Sequence, residues 1–106
     1  MTKVDLEAEI KNITQQIIKK YQPEKIILFG SAARGEFDPD KSDLDFFVVK
    51  NDDRTKIERA QTVYKLVEKK VPADFIVYKP QEVAERLRLG DPFLKIIFRE
   101  GRVLYG

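Results

Sequence analysis

The stretch LFGSAARGEFDPDKSDLDFFVV, residues 28–49, decides the fold of this chain. It opens with the end of an apolar run that stops at Gly30-Ser31, continues through a polar loop, and closes with a second apolar run that Asp43 and Asp45 introduce. Apolar runs bounded by turn residues indicate buried strands. An Asp-x-Asp pair alone is a weak signal. Here, however, the pair lies at the start of one strand, downstream of a Gly-Ser turn that ends another.

Composition limits the chemistry that the chain can perform. Its 106 residues indicate a single domain, residues 1–106, and a net charge of +2 gives no support for direct nucleic-acid binding. Because there is no cysteine and no histidine, thiolate and imidazole chemistry are excluded, and a metal would be held by oxygen, as magnesium, manganese and calcium are. No apolar run approaches the roughly 20 residues of a membrane helix, and there is no signal peptide. We therefore expect a soluble, cytoplasmic protein without membrane contacts.

Hydrophobic periodicity predicts the elements of the first half. Apolar residues recur at intervals of three and four before Pro23, which indicates an amphipathic helix with Thr2 as its cap. The predicted elements are a helix over 2–20, a strand over 25–29, one helical turn over 31–35 and a strand over 43–49.

The second half alternates helices and strands. A helix of four to five turns over 54–70 is predicted, capped by residues 51–53, with Lys69-Lys70 in its last turn and with Ile57, Ala60, Val63, Tyr64 and Val67 facing inward. A strand over 73–78 follows. Pro80 opens a helix to residue 89, and Asp91-Pro92 opens the last helix. Residues 103–105 are predicted as a short edge strand or a tail.

Topology then places the polar residues. A helical crossover makes the second and third strands parallel neighbours that begin at one edge of the sheet, so Asp43, Asp45 and Asp74 converge. The short connection between the first two strands favours antiparallel pairing, which brings Gly30-Ser31 to the same edge. The expected fold is α/β (α+β), a small mixed β-sheet of three to four strands flanked by helices.

These residues fit phosphate chemistry. Three carboxylates without cations repel one another, and one or two bound magnesium ions would relieve that repulsion. Gly30 and the amides after it can cradle a phosphate, to which Ser31 and Arg34 add donors. Simpler explanations stay open: Gly30 only closes a strand, Ser31 only caps the turn, Arg34 pairs with Glu36, and Asp74 belongs to an ordinary turn.

The motifs resemble those of a known superfamily. Gly30-Ser31, eleven residues and then Asp43-Leu44-Asp45 are similar to the signature of polymerase β-like nucleotidyltransferases. Three segments also resemble the small prokaryotic subgroup of this superfamily, the minimal nucleotidyltransferase (MNT) domains. They are Phe29-Gly-Ser-Ala-Ala-Arg-Gly35, Gly90-Asp-Pro-Phe-Leu94 and Arg99-Glu-Gly-Arg-Val-Leu-Tyr105. The eleven-residue spacing is one longer than in many relatives, and we place the extra residue within 37–41.

The resemblance implies a role for each matching position. Asp43, Asp45 and Asp74 would be catalytic residues that bind two Mg²⁺ ions, or Mn²⁺ in their place. Asp74 would lie near the attacking hydroxyl. Gly30 and Ser31 would contact the triphosphate of ATP. The resemblance also implies the polymerase β-like nucleotidyltransferase fold.

The resemblance further implies a partner. MNT domains are commonly antitoxins encoded beside a HEPN-domain ribonuclease toxin, and the implied reaction is transfer of AMP from ATP to a tyrosine of that toxin. Two alternatives stay open: a transferase acting on a small-molecule hydroxyl, and a non-catalytic antitoxin that neutralises its partner by contact alone. The short chain argues against an acceptor pocket for a small molecule, and the intact motif residues argue against the contact-only antitoxin. A homo-oligomer or a hetero-oligomer is compatible with the sequence.

Overall fold

A central sheet covered by helices on both faces organises the chain. The computed structural model describes residues 2–106. Its elements are α1 (Lys3–Tyr21), β1 (Lys25–Phe29), β2 (Leu44–Val49), α2 (Lys56–Leu66), β3 (Ala73–Tyr78), α3 (Pro80–Arg88), α4 (Pro92–Glu100) and β4 (Arg102–Tyr105). The strands lie in the order β3-β2-β1-β4. The expected α+β fold, a small mixed sheet flanked by helices, is confirmed.

The first helix begins where its sequence predicts. The Thr2 hydroxyl accepts a hydrogen bond from the Asp5 amide at 3.1 Å, and the Asp5 carboxylate accepts one from the Thr2 amide at 3.3 Å. This reciprocal capping box satisfies amides that have no partner within the helix. At the other end Gln22 adopts a left-handed conformation, and Pro23 prevents continuation of the helix.

The helix after β2 is shorter than predicted at both ends. Thr55 caps α2 in a capping box with Glu58, so the prediction of a cap at residues 51–53 was wrong. The reason is that Asp52 accepts hydrogen bonds from Tyr21 and Arg54 instead. Because α2 ends at Leu66, Lys69-Lys70 lie in the loop beyond the helix and not in its last turn.

The inward face of α2 also differs from the prediction. Of the expected core residues, Val63 and Val67 are buried, Ala60 is half-buried, and Ile57 and Tyr64 are exposed. Arg59 takes one of the inward positions and is 4% exposed. Its guanidinium donates to the Val77 carbonyl at 3.2 Å and to the Glu82 carboxylate at 2.8 Å, which compensates the buried charge. A polar contact to α3 therefore replaces part of the expected apolar stripe.

The strand pairing brings three strand ends to one edge. β1 and β2 are antiparallel, and β2 and β3 are parallel, as the connection lengths predict. Residues 102–105 form an edge strand antiparallel to β1, not a tail. As a result, β1 ends at the edge of the sheet where β2 and β3 begin.

Two apolar clusters hold the layers together. One lies between the sheet and the α1–α2 layer, with Phe46 and Ile13 among its fully buried residues. The other lies between the sheet and the α3–α4 layer, with Phe47 and Leu94 among its buried residues. Residues of β2 alternate between the clusters, as a strand covered on both faces requires. Among residues 2–106, no helix has both the length and the apolarity needed to cross a membrane.

Candidate active site

Three aspartates meet at this edge of the sheet. Asp45 of β2 is directly opposite Asp74 of β3 in the parallel register, and it is also opposite Phe29, the last residue of β1. Asp43 precedes the first residue of β2, so the strand begins one residue later than predicted. Adjacent strands are about 4.8 Å apart, which places the backbones that carry Asp45 and Asp74 side by side.

Asp45 is a half-buried carboxylate with acidic neighbours. Burial, and after it the charges of Asp74 and Asp43, raises the pKa of the Asp45 carboxyl to about 6, while the Arg34 guanidinium acts in the opposite direction. Asp74 and Asp43 can raise this pKa, and Arg34 can lower it, only from a short distance, because the influence of a charge decays quickly in water. The three carboxylates therefore form one electrostatic unit.

Asp74 also responds to an acidic neighbour. Partial burial raises the pKa of Asp74, and the charge of Asp43 adds to this rise. Within residues 2–106, however, no three acidic side chains are arranged as a ready cluster around an ion. The set thus offers carboxylate donors of the kind that hard cations prefer, but the donors do not surround one position.

The turn after β1 lies against the aspartates. Gly30 has φ +75°, and a Cβ added to it would collide with Oδ2 of Asp45. Residues 31–35 form one turn, in which the amides of Ala33 and Arg34 donate to the Gly30 carbonyl at 3.1 and 3.2 Å. The first amides of such a turn have no acceptor within it and point toward its amino-terminal end. The Gly30-Ser31 backbone is therefore next to the carboxylate of Asp45.

Arg34 is held by Glu36 at the side of the site. Its Nε lies 3.1 Å from the Glu36 carboxylate, and the two side chains are 49% and 56% exposed. This is the pairing that the sequence left open. An exposed ion pair of this kind contributes little stability, so Arg34 can exchange Glu36 for a phosphate at small cost.

Two cavities lie near this edge of the sheet, one at the Gly30 turn and one at Asp74. One, of about 150 Å³, lies between the turn and α4 and is lined by Gly30, Arg34 and Phe93 among others. The other, of about 360 Å³, lies between α2 and β3 and is lined by Tyr64 and Asp74 among others. Space for a ligand is thus present beside the Gly30 turn and beside Asp74.

Sequence reasoning did not connect Phe93 or Glu9 with this edge. Phe93 of α4 packs edge-on against Phe29, at 5.8 Å between ring centroids, directly before the Gly30 turn. Glu9 is 4% exposed and bonds to the loop that precedes Asp74. The only sequence signal for Glu9 is an acidic residue beside the apolar stripe of α1, which is too common to interpret.

Comparisons with known proteins agree with this fold. The family model described as "Nucleotidyltransferase domain" matches residues 8–105, and the chain belongs to that family. No curated protein matches the chain significantly. The crystal structure of a protein described as a nucleotidyltransferase from Sulfolobus solfataricus is similar, with a TM-score of 0.59 and 20% sequence identity. The match covers 97% of this chain and 87% of that one, so the likeness in fold extends through nearly the whole chain.

Proposed function

We propose that this chain is a Mg²⁺-dependent cytoplasmic nucleotidyltransferase that transfers AMP from ATP to a tyrosine of a partner HEPN ribonuclease toxin, and so acts as the antitoxin. The observation that carries the proposal is the meeting of Asp43, Asp45 and Asp74 beside the Gly30 turn. Membership of the family supports nucleotidyl transfer. The choice of acceptor rests on the resemblance of the sequence to MNT domains.

The donor set at the sheet edge fits magnesium. Its candidate ligands are carboxylate oxygens, which hard divalent cations prefer. Burial, and after it the charge of neighbouring aspartates, raises the pKa values of Asp45 and Asp74, and a bound cation would offset both effects. Asp43, Asp45 and Asp74 would hold one or two Mg²⁺ or Mn²⁺ ions, with phosphate oxygens completing the open ligand set. When bound, the metal would supply positive charge against the phosphate oxygens.

The remaining groups bind the nucleotide and move the proton. In the proposed reaction the Gly30-Ser31 backbone and Arg34 hold the triphosphate. The tyrosine oxygen forms a bond to the α-phosphorus as the bond from that phosphorus to pyrophosphate breaks. Asp74 accepts the phenolic proton, since its carboxylate lies at the same edge of the sheet as Asp43 and Asp45.

Intact-mass spectrometry of the partner toxin, incubated with this protein, ATP and Mg²⁺, tests the proposal. We expect wild-type protein to add one or more AMP units to the partner. Asp74→Asn should lose most of the transfer and keep much of its ATP affinity in titration calorimetry, because the phosphates are held on the β1 side. Asp40→Asn, an exposed aspartate of the preceding loop, is the matched control and should transfer normally.

The same experiment separates the alternatives. Neutralisation of the partner without a mass gain, equally by wild type and Asp74→Asn, would establish a contact-only antitoxin. Transfer to small alcohols in the absence of any partner would establish a small-molecule transferase. ATP binding that is indifferent to Mg²⁺ would count against the metal site.

A further inference from the structure

The loop between α2 and β3, residues 67–72, is held by side chains of another helix. Its sequence, VEKKVP, contains a proline but none of the Gly, Asn, Asp or Ser residues that usually satisfy the backbone of a turn. The missing partners come from α1. Gln16 accepts a hydrogen bond from the Glu68 amide at 2.8 Å and donates one to the Glu68 carbonyl at 2.6 Å. Lys20 donates to the Leu66 carbonyl at 3.0 Å.

Glu9 makes the buried contact in this set. One of its carboxylate oxygens accepts hydrogen bonds from the backbone amides of Lys70 and Val71, the latter at 3.3 Å. The other oxygen accepts a bond from the side-chain amide of Asn12 at 3.0 Å. Burying a carboxylate is costly unless it is hydrogen-bonded, and here its three donors are amides. Such a group fixes the backbone of the loop more strictly than apolar packing would.

The anchored loop leads directly into the candidate active site. The Pro72 carbonyl, next after Val71, accepts a hydrogen bond at 3.0 Å from the amide of Leu44, which lies between Asp43 and Asp45. From there the register pairs Ala73 with Leu44 and Asp74 with Asp45. The start of β3 is thus held by α1 on one side and by β2 on the other. A slip of one residue would turn Asp74 to the opposite face of the sheet.

We propose that Glu9 is a positioning residue of the transfer reaction. By holding the amides of Lys70 and Val71, it sets the place of Asp74 relative to Asp43 and Asp45. This inference rests on the proposed function, because it takes these carboxylates as the metal site. Glu9 itself acts only through the loop.

The test compares three variants of the full chain by two measurements. The first is binding of Mn²⁺ with α,β-methylene-ATP, followed by electron paramagnetic resonance, and the second is the kinetics of AMP transfer to the partner. Glu9→Ala removes the anchor, and Glu9→Gln keeps one acceptor oxygen for the loop. Ile17→Val is the matched control, since it loosens the same helix in the core and removes none of the hydrogen bonds to the loop.

We expect Glu9→Ala to weaken Mn²⁺ binding and to lower kcat, each by about 10-fold or more, as groups that orient metal ligands do. At saturating Mg²⁺ the KM for ATP should change less than kcat does, because the Gly30 turn and Arg34 also hold the triphosphate. Glu9→Gln should recover most of both losses, and Ile17→Val should keep wild-type Mn²⁺ affinity at temperatures where it is folded. If Glu9→Ala does not fold, Gln16→Ala, which loosens the loop from the surface, should show a smaller loss of the same kind.

Wild-type Mn²⁺ affinity in Glu9→Ala, or equal losses in Ile17→Val, would overturn the role of Glu9. If Gln16→Ala is used in place of Glu9→Ala, wild-type Mn²⁺ affinity in Gln16→Ala would likewise overturn that role. A wild-type protein that binds Mn²⁺ but adds no AMP to the partner would refute the proposed acceptor. In that case the Mn²⁺ comparison still decides what Glu9 does.

Discussion

Asp45 is a carboxylate that the fold holds in an unfavourable environment. It is half-buried, it faces two other aspartates, and the absence of a side chain at Gly30 provides its space. A group of this kind lowers stability where it is ionised, and such groups concentrate at functional sites. Its unusual environment supports a role in chemistry or binding, since packing alone would favour an uncharged residue at this position.

Replacing this charge should stabilise the apo protein. The pKa of Asp45 is about 6 in the folded chain, against an ordinary value of 3.8. Between these pH values the folded state holds more protons than the unfolded state, so the contribution of Asp45 to stability falls as pH rises through this window. We expect Asp45→Asn to be more stable than wild type at pH 7 by about 1–2 kcal/mol, discounted for partial exposure.

Urea unfolding at several pH values between 4 and 8 measures this effect. The gap between Asp45→Asn and wild type should widen as pH rises through about 6 and then level off. Asp40→Asn, on the exposed loop before the site, is the control and should show no such widening. A constant gap across the whole range would contradict the electrostatic explanation.

At the scale of elements, the start of α2 is decided by competition for side-chain oxygens. Residues 51–53 have good capping side chains, but Asp52 is engaged with Tyr21 and Arg54, and Asp53 with Lys79. Thr55 has no such competitor and forms the capping box with Glu58. Local preference therefore predicts that a cap exists, whereas tertiary contacts decide which residue provides it.

Thr55→Ala should cost about 1 kcal/mol of unfolding free energy, the usual loss for a missing N-cap. Asn51→Ala serves as the matched control because it removes a capping side chain that lies outside the helix start. Chemical denaturation at neutral pH measures both. Equal effects of the two substitutions would show that the cap is not at Thr55.

Across the whole molecule, a second polar centre joins the end of α1, the loop after β2 and α2, at the opposite end of β2 from the site. The Tyr21 hydroxyl at the end of α1 donates to Asp52 at 2.5 Å, and Arg54 donates to the same carboxylate at 2.6 and 3.0 Å. Arg54 also reaches Thr62 of α2 at 2.8 Å. The hydrogen bond from Arg54, and after it that from Tyr21, holds the pKa of Asp52 well below its usual range, against the effect of burial.

Acid should weaken this centre below about pH 4. A carboxylate with a depressed folded pKa contributes stability above its unfolded pKa, near 3.8, and this contribution is lost as pH falls toward the folded value. We expect Asp52→Asn to be less stable than wild type at pH 7 by about 1.5–3 kcal/mol, typical for hydrogen bonds to a charged group. The difference should shrink below about pH 4. Asp53→Asn, whose carboxylate is 91% exposed, is the adjacent control and should have a much smaller effect at any pH.

The sequence alone predicted most of the architecture. Continuous apolar runs identified β1 and most of β2, periodicity identified α1, and the lengths of the connections gave antiparallel and then parallel pairing. These features depend on local periodicity and chain reach, which the order of residues carries directly. The same reasoning brought Asp43, Asp45 and Asp74 to one edge of the sheet.

Only the tertiary structure decided the contacts that depend on competition between distant residues. It placed Arg59, not Ile57 or Tyr64, on the inward face of α2, because a guanidinium can join the backbone of β3 to α3. It also gave the loop 67–72 its partners on α1, although Glu9 and Lys70 are 61 positions apart in the chain. A side chain has several possible partners of similar energy, and which of them comes within reach is settled only when the whole chain has packed.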